Sequence, residues 1–220
     1  IMRTKAVRMY GKNDLRLEEF ELPQMKEDEV LVKVMSDSIC MSTYKLVAQG
    51  KKHKRAPQNI DTNPVIVGHE CSGIIVEVGE KWKNQIRPGQ KFSLQPALNY
   101  QGKLDSPGYS YEFCGGACTY CIMPHEVMEL GCLLDYTGES FFEASLGEPM
   151  SCIIGGYHAN YHTNKKNYGH AMGTKEDGNI LIMGGCGPMG LGAVSYGLQF
   201  ENKPRRIVVT DISDDRIQRA

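Results

Sequence analysis

The first half of the chain alternates short apolar stretches with turn residues. Residues 5–9 and 30–35 read as strands, with Pro23 and the acidic residues 27–29 between them. Residues 65–67, 73–78, 91–94 and 116–123 repeat the style, and Pro88 with Gly89 marks a turn before the third of these. Short, evenly spaced strands with Gly and Pro punctuation predict a compact, barrel-like all-β domain. Near residue 140 the period changes. Ser140 can cap a helix with Glu143 at its third position, the capping-box arrangement, and a helical pattern continues through Met150 to about Tyr161. Residues 162–178 are polar and Gly-rich, suited to a linker or inserted loop. A short buried strand (179–183), an apolar helix (191–198) and another strand (206–210) then predict a β-α-β unit. A second helix opens over 211–216.

Composition narrows this picture without naming a function. The 220 residues are 41% hydrophobic and 23% charged, enough for one large domain or one and a half smaller ones. A net charge of -1 gives no global cationic excess for nucleic-acid binding. No apolar run approaches the roughly 18 residues of a membrane span, and no leader-like segment opens the chain, so a soluble cytoplasmic protein is expected. The eight cysteines are scattered, which suits buried thiols with one or two metal ligands or nucleophiles.

Between the strand at 179–183 and the following helix, Gly185, Gly187 and Gly190 fit G-x-G-x-x-G, with Pro188 and Met189 completing the turn. The first glycine permits a tight turn, the second lets backbone approach a pyrophosphate, and the third lets helix and strand pack closely. The helix start offers unpaired N–H groups and a positive dipole end. Asp211 follows about 20 residues on, at the end of the next strand, where a carboxylate can accept both ribose hydroxyls of NAD(H) and would repel a 2′-phosphate. NAD(H) is therefore expected ahead of NADP(H), although Arg216 stands close enough to offset some of that repulsion. A glycine turn without a ligand is the competing reading.

Cys40, His69, Glu70 and Glu148 are the candidate metal ligands. A catalytic zinc takes three or four N, S or O donors and keeps one position open. Cys40 lies beyond a strand end, His69 and Glu70 follow Gly68 after another strand, and Glu148 precedes Pro149 at a helix start. Taken singly, a buried cysteine, a core histidine and a glutamate favoured by a helix dipole explain them equally well.

In order along the chain, residues 39–42, 67–73, 78–79, 87–89 and 147–149, the glycine turn and residues 209–211 resemble the zinc-containing medium-chain dehydrogenases and reductases. Glu148 before Pro149 is closer to the sorbitol and threonine dehydrogenase branch. Residues 40–45, 53–55, 63–64 and 208–212 resemble the L-sorbose-1-phosphate reductases. The resemblance implies an all-β GroES-like catalytic domain over residues 1–160, a linker or inserted loop over 161–178, and the first part of an α/β Rossmann domain over 179–220. It also implies one catalytic zinc on Cys40, His69 and Glu148, with Glu70 an exchangeable ligand or a partner of the ligands, and Ser42 a proton-relay hydroxyl. The activity implied is hydride transfer between NAD(P)(H) and a polyol or ketose. In full-length form a homodimer or homotetramer is expected, with no nucleic-acid or membrane partner.

Three departures qualify that expectation. Cys114, Cys118, Cys121 and Cys132 come nearest to a structural zinc set, but residues three apart on a strand face opposite sides, so no structural zinc is expected. Thr43 and Lys45 replace the Asp and His often found beyond the relay serine. Lys45 also joins the basic run 51–55, and Lys45, Lys54 and Arg55 form either a solvated loop or a clamp for a sugar phosphate. The α/β part holds about half of a six-strand sheet, so a fragment inactive on its own is expected. Two other functions stay open: dehydrogenation of an unphosphorylated alcohol, as in sorbitol or threonine dehydrogenases, and a metal-free dinucleotide-binding module.

Overall fold

The computed structural model describes residues 2–164, 166–167 and 169–220. They form two compact units, Ile1–Glu148 and Pro149–Ala220. The division falls at Glu148, ahead of the boundary expected near residue 160.

The first unit is built on strands. β1 (Arg3–Gly11) turns back into β2 (Asp14–Glu21), and Asn13 takes the left-handed conformation the tight turn needs (φ 56°). β4 (Val65–Ile66) pairs with the other side of β1. A larger antiparallel sheet runs in the order β7 (Tyr120–Met123), β3 (Val30–Ser38), β5 (Glu70–Val78), β6 (Lys91–Leu94) and β8 (Leu133–Asp135). A bridge between Ala6 and Cys118 joins the two sheets, with Val7 donating to the Ala117 carbonyl at 2.9 Å beside it. The result fits the expected barrel-like architecture, with a core that includes Val32, Ile75, Phe92, Leu94 and Met123. Full burial of a side chain such as Ile75 or Phe92 stabilises by roughly 2 kcal/mol.

The pairing of β3 with β5 positions the candidate site. Its register sets Ser38 opposite Glu70 and Asp37 opposite Cys71. Residues just beyond the end of β3 therefore meet residues just before the start of β5, whatever their separation in sequence. α1 (Met41–Gln49), which the strand pattern did not predict, starts there, and Gly50 (φ 58°) stops it.

The predicted helix from 140 to about 161 is two helices, α3 (Phe141–Ser145) and α4 (Gly147–His158). The Ser140 hydroxyl caps the first by accepting from the Glu143 amide at 3.4 Å. In the second unit, the expected loop contains a hairpin of β9 (Tyr161–Thr163) and β10 (His170–Met172). β11 (Asn179–Met183), α5 (Pro188–Gln199) and β12 (Arg206–Thr210) then form the predicted parallel β-α-β unit, followed by α6 (Asp214–Arg219). Among the described residues, no helix is long and apolar enough to cross a membrane.

Candidate metal centre and nucleotide turn

Cys40 occupies the N-cap of α1 in extended conformation, so its thiol stands where the helix presents its positive end. Gly68 turns the chain into β5 with a left-handed φ of 88°. A Cβ there would lie 2.2 Å from an Asp37 carboxylate oxygen and 2.7 Å from the Ala117 amide nitrogen, so the turn admits only glycine. The residues on either side of the strand junction then converge. One donor atom each from Cys40, His69 and Glu70 lies within 4.8 Å of the others, the one such group of three among the described residues. Glu148, in the first turn of α4, is outside that group, although its charge is felt at the Tyr109 hydroxyl.

The donors are held by neighbours. Ser42 Oγ lies 2.9 Å from Cys40 Sγ and 3.3 Å from His69 Nε2, while Thr43 Oγ1 lies 3.4 Å from His69 Nδ1. Ser38 donates to the Glu70 carboxylate. His69 and Glu70 are 3% and 5% exposed. Burial holds the His69 imidazole below the usual histidine range, opposed by Glu70 and reinforced by Arg55. The ring is thus neutral at physiological pH, the form that ligates metal. Burial also raises the Cys40 thiol, against hydrogen bonds from Ser42. Metal binding would therefore release that proton.

Asp37 braces this centre from behind. It accepts the Glu70 amide at 3.1 Å and fills the space beside Gly68 and Gly116. Burial, outweighing that hydrogen bond, pushes its carboxyl up from 3.8 to about 7, with Glu70 and Cys121 adding. Because the folded value is the higher one, the folded state keeps a proton that the unfolded chain gives up near 3.8. The resulting stabilisation is full below pH 3.8 and is lost as pH rises through about 7. The metal-free Asp37→Asn variant should therefore lose this part of the stability–pH slope, as read by urea unfolding at a series of pH values. Parallel curves for the two proteins would refute the assignment.

Tyr109, which sequence reasoning passed over, completes the centre. Its hydroxyl donates to Ser42 Oγ at 2.8 Å and lies 3.3 Å from His69 Nε2. Its ring contacts His69 at 4.9 Å and stacks with His53 at 5.6 Å. The available signal was Ser106, Pro107, Gly108 and Tyr109, the pattern of a type II turn with Pro second and Gly third. Gly108 has φ 78°, the Tyr109 amide closes the turn on Ser106, and the place of a Gly108 Cβ is 2.1 Å from the Gly68 carbonyl oxygen.

The candidate phosphate cations separate. The Arg55 guanidinium lies 5.5 Å over the Tyr109 ring and donates to the Leu104 carbonyl at 2.9 Å. Lys45 and Lys54 are exposed. Within the same basic run, Lys51 pairs with Asp61 at 2.8 Å, so the run is not one continuous free patch.

Cys114, Cys121 and Cys132 are buried and Cys118 is half-buried. Cys118 precedes β7 instead of lying on it. The Cys114 thiol donates to Met123 Sδ at 3.6 Å and the Cys118 thiol to the Gly115 carbonyl at 3.2 Å; closeness to Cys121, then burial, raises both, and the same closeness holds the Cys121 thiol below the usual range. Cys132 stands apart from these three and is raised by burial.

In the second unit, Gly187 caps α5 and Pro188 takes its first turn, while Gly190 presses against the Gly185 backbone. Met189 is half exposed. Asp211 follows β12, and its carboxylate accepts the Ser213 and Cys186 amides, each at 3.1 Å. The Ser213 hydrogen bond foremost, then those from Cys186 and Ile212 and the charge of Arg216, keeps Asp211 below the usual aspartate range and ionised.

Residues 26–134 match the alcohol dehydrogenase GroES-like domain. The chain is 52% identical over 218 residues to a mannitol-1-phosphate 5-dehydrogenase of Aliivibrio fischeri, covering 99% of this chain and 51% of that protein. It is 46% identical over 217 residues to an L-sorbose 1-phosphate reductase of Klebsiella pneumoniae, covering 99% and 53%. The crystal structure of 2R,3R-butanediol dehydrogenase from Bacillus subtilis superposes with a TM-score of 0.73 at 25% identity, covering 98% of this chain and 60% of that one. The chain thus spans about half the length of the curated relatives it matches. With the barrel, the strand junction that gathers Cys40, His69 and Glu70, and the β-α-β turn in place, residues 26–134 form an alcohol dehydrogenase GroES-like domain, and the chain around them is similar to medium-chain dehydrogenases and reductases.

Proposed function

We propose that the protein carrying this chain is a zinc- and NAD(P)-dependent dehydrogenase that moves a hydride between the nicotinamide and a polyol or ketose bearing a phosphate. The observation that carries this reading is the convergence of Cys40, His69 and Glu70 within 4.8 Å. A thiol, a neutral imidazole and a carboxylate suit zinc, and Glu148, in the same compact unit, is the proposed further ligand. When bound, zinc supplies Lewis-acid polarisation of the substrate's reacting oxygen, and the nicotinamide accepts or gives the hydride. The chain's own residues do the rest. Ser42 stands beside the ligand set to hydrogen-bond the reacting oxygen, and Gly185, Gly187 and Gly190 cradle the pyrophosphate. An ionised Asp211, with both oxygens already oriented by backbone amides, favours NAD(H) over NADP(H).

The phosphate rests on two supports. The mannitol-1-phosphate and L-sorbose 1-phosphate enzymes are named for phosphorylated substrates. Arg55, the cation of the basic run lying over Tyr109, also influences the His69 charge. A fork-shaped cation near the metal centre suits a phosphate on the far end of a short sugar chain.

The test is a substrate panel on the intact protein, with NADH and NADPH each offered sorbose 1-phosphate, fructose 6-phosphate and the free ketoses. About one zinc per chain at this site and zinc-dependent turnover are expected, with phosphorylated ketoses preferred. Arg55→Ala should raise KM for the phosphorylated ketose by about tenfold, the value of one charge-assisted contact, and leave the free ketose nearly unchanged. Equal effects on both would remove the phosphate from the reading. A protein that binds NAD, holds no zinc and turns nothing over would be a binding module instead.

A further inference from the structure

We infer that Tyr109 is a positioning residue for the reaction: its hydroxyl fixes the direction of the Ser42 hydrogen bond at the metal centre. The inference rests on the zinc-dehydrogenase reading above. A serine hydroxyl has one hydrogen to give and lone pairs that accept, and it rotates to suit its surroundings. Here the Tyr109 hydroxyl donates to Ser42 Oγ at 2.8 Å, so Ser42 is the acceptor in that bond and its own hydrogen must go elsewhere. The acceptors within reach are Cys40 Sγ at 2.9 Å and His69 Nε2 at 3.3 Å. Both belong to the proposed ligand set; an ion would take up the one lone pair of the His69 nitrogen and leave Cys40 Sγ, a weak acceptor, as the alternative of the two. Ser42 is then left with a hydrogen and only a weak sulfur acceptor between these two, so the more strongly accepting reacting oxygen of the substrate takes it. Without the Tyr109 hydroxyl, Ser42 could turn and accept instead, presenting a lone pair where a donor is needed.

The rest of the geometry suits a fixed support. The Tyr109 ring is buried, in contact with His69 and stacked on His53, and Arg55 lies above it. The turn that carries it is seated by Gly108 against the Gly68 carbonyl, one residue from His69. The hydroxyl is therefore registered to the same backbone that sets the ligand. Tyr109 acts through Ser42 and need not touch the reacting atoms.

The experiment compares wild type, Tyr109→Phe, Ser42→Ala and the double variant in the intact protein, using carbonyl reduction and the visible spectrum of the cobalt-substituted form. Phenylalanine keeps the ring contacts. Tyr109→Phe should lower kcat by about tenfold while KM moves by less than about twofold, as for one hydrogen bond that matters mainly in the transition state. Its cobalt spectrum should match wild type, and the double variant should be no slower than Ser42→Ala, because Tyr109 works only through that hydroxyl. A Tyr109→Phe enzyme with wild-type kcat, losses that multiply in the double variant, or an altered cobalt spectrum would each overturn the inference. Absence of zinc-dependent turnover in the wild type would overturn the underlying reading, and this inference with it. Normal wild-type turnover beside an unaffected Tyr109→Phe would overturn this inference alone.

Discussion

Replacing His69 with alanine is expected to strip the intact protein of its zinc and lower kcat/KM by on the order of 10³-fold, about 4 kcal/mol of lost transition-state stabilisation. The size follows from what the ring does. His69 is 3% exposed and supplies the nitrogen of a cluster whose other members are a thiol and a carboxylate. The groups that hydrogen-bond the ring cannot replace it, since Ser42, Thr43 and Tyr109 offer only hydroxyls. Metal content by elemental analysis and kcat/KM on the same preparation make the check. A variant that keeps its zinc and its turnover would remove the cluster from the mechanism. Far-ultraviolet circular dichroism should be unchanged, because His69 precedes β5 and its side chain takes no part in the strand pairing.

The second large effect separates the glycines of the nucleotide turn. A Cβ on Gly190 would lie 2.1 Å from the Gly185 carbonyl oxygen and 2.3 Å from its Cα, both backbone atoms that cannot yield. Gly190→Val should therefore open the turn and weaken NAD binding by about 100-fold or more, ~2.8 kcal/mol. Gly187 is different. Nothing lies within 4 Å of its missing Cβ, and its backbone (φ −91°, ψ 177°) suits any residue. Only a ligand could object to a methyl group there. Gly187→Ala should leave the melting temperature unchanged and still weaken NAD, which titration calorimetry can read. Unchanged NAD affinity in Gly187→Ala would mean that no phosphate approaches this backbone.

The parts legible in the sequence were those set by local pattern. β11 and β12 were readable to the residue because each is a short apolar run with turn residues at both ends. Ser140 advertised its cap through the spacing to Glu143. β2 was missed because its residues are mostly charged and its outward Leu15 and Leu17 remain largely exposed, so no buried face shows in its pattern. The short hairpin of β9 and β10 was hidden for a similar reason, its strands being only three residues each and largely exposed.

The site divided along the same line. Cys40, Ser42, His69 and Glu70 were singled out by residue type and by resemblance, but their convergence depends on the register of β3 against β5, which no local pattern specifies. Tyr109 carried a turn signal and nothing chemical; its hydroxyl became meaningful only when Gly108 brought the turn against Gly68. Cys118 reads as part of a strand with Cys121, but β7 begins only at Tyr120.

The placement of Cys40, His69, Glu70, Tyr109 and Glu148 all within the first compact unit sets an order of events during synthesis. A ribosome finishes adding the residues of this unit before any residue of the glycine turn has been made. At roughly 5–20 residues per second, several seconds separate the two. The proposed ligands all belong to the part made first, so ion capture would not require the nucleotide turn to exist. Zinc supply and nicotinamide supply would then govern different moments in the life of the nascent enzyme.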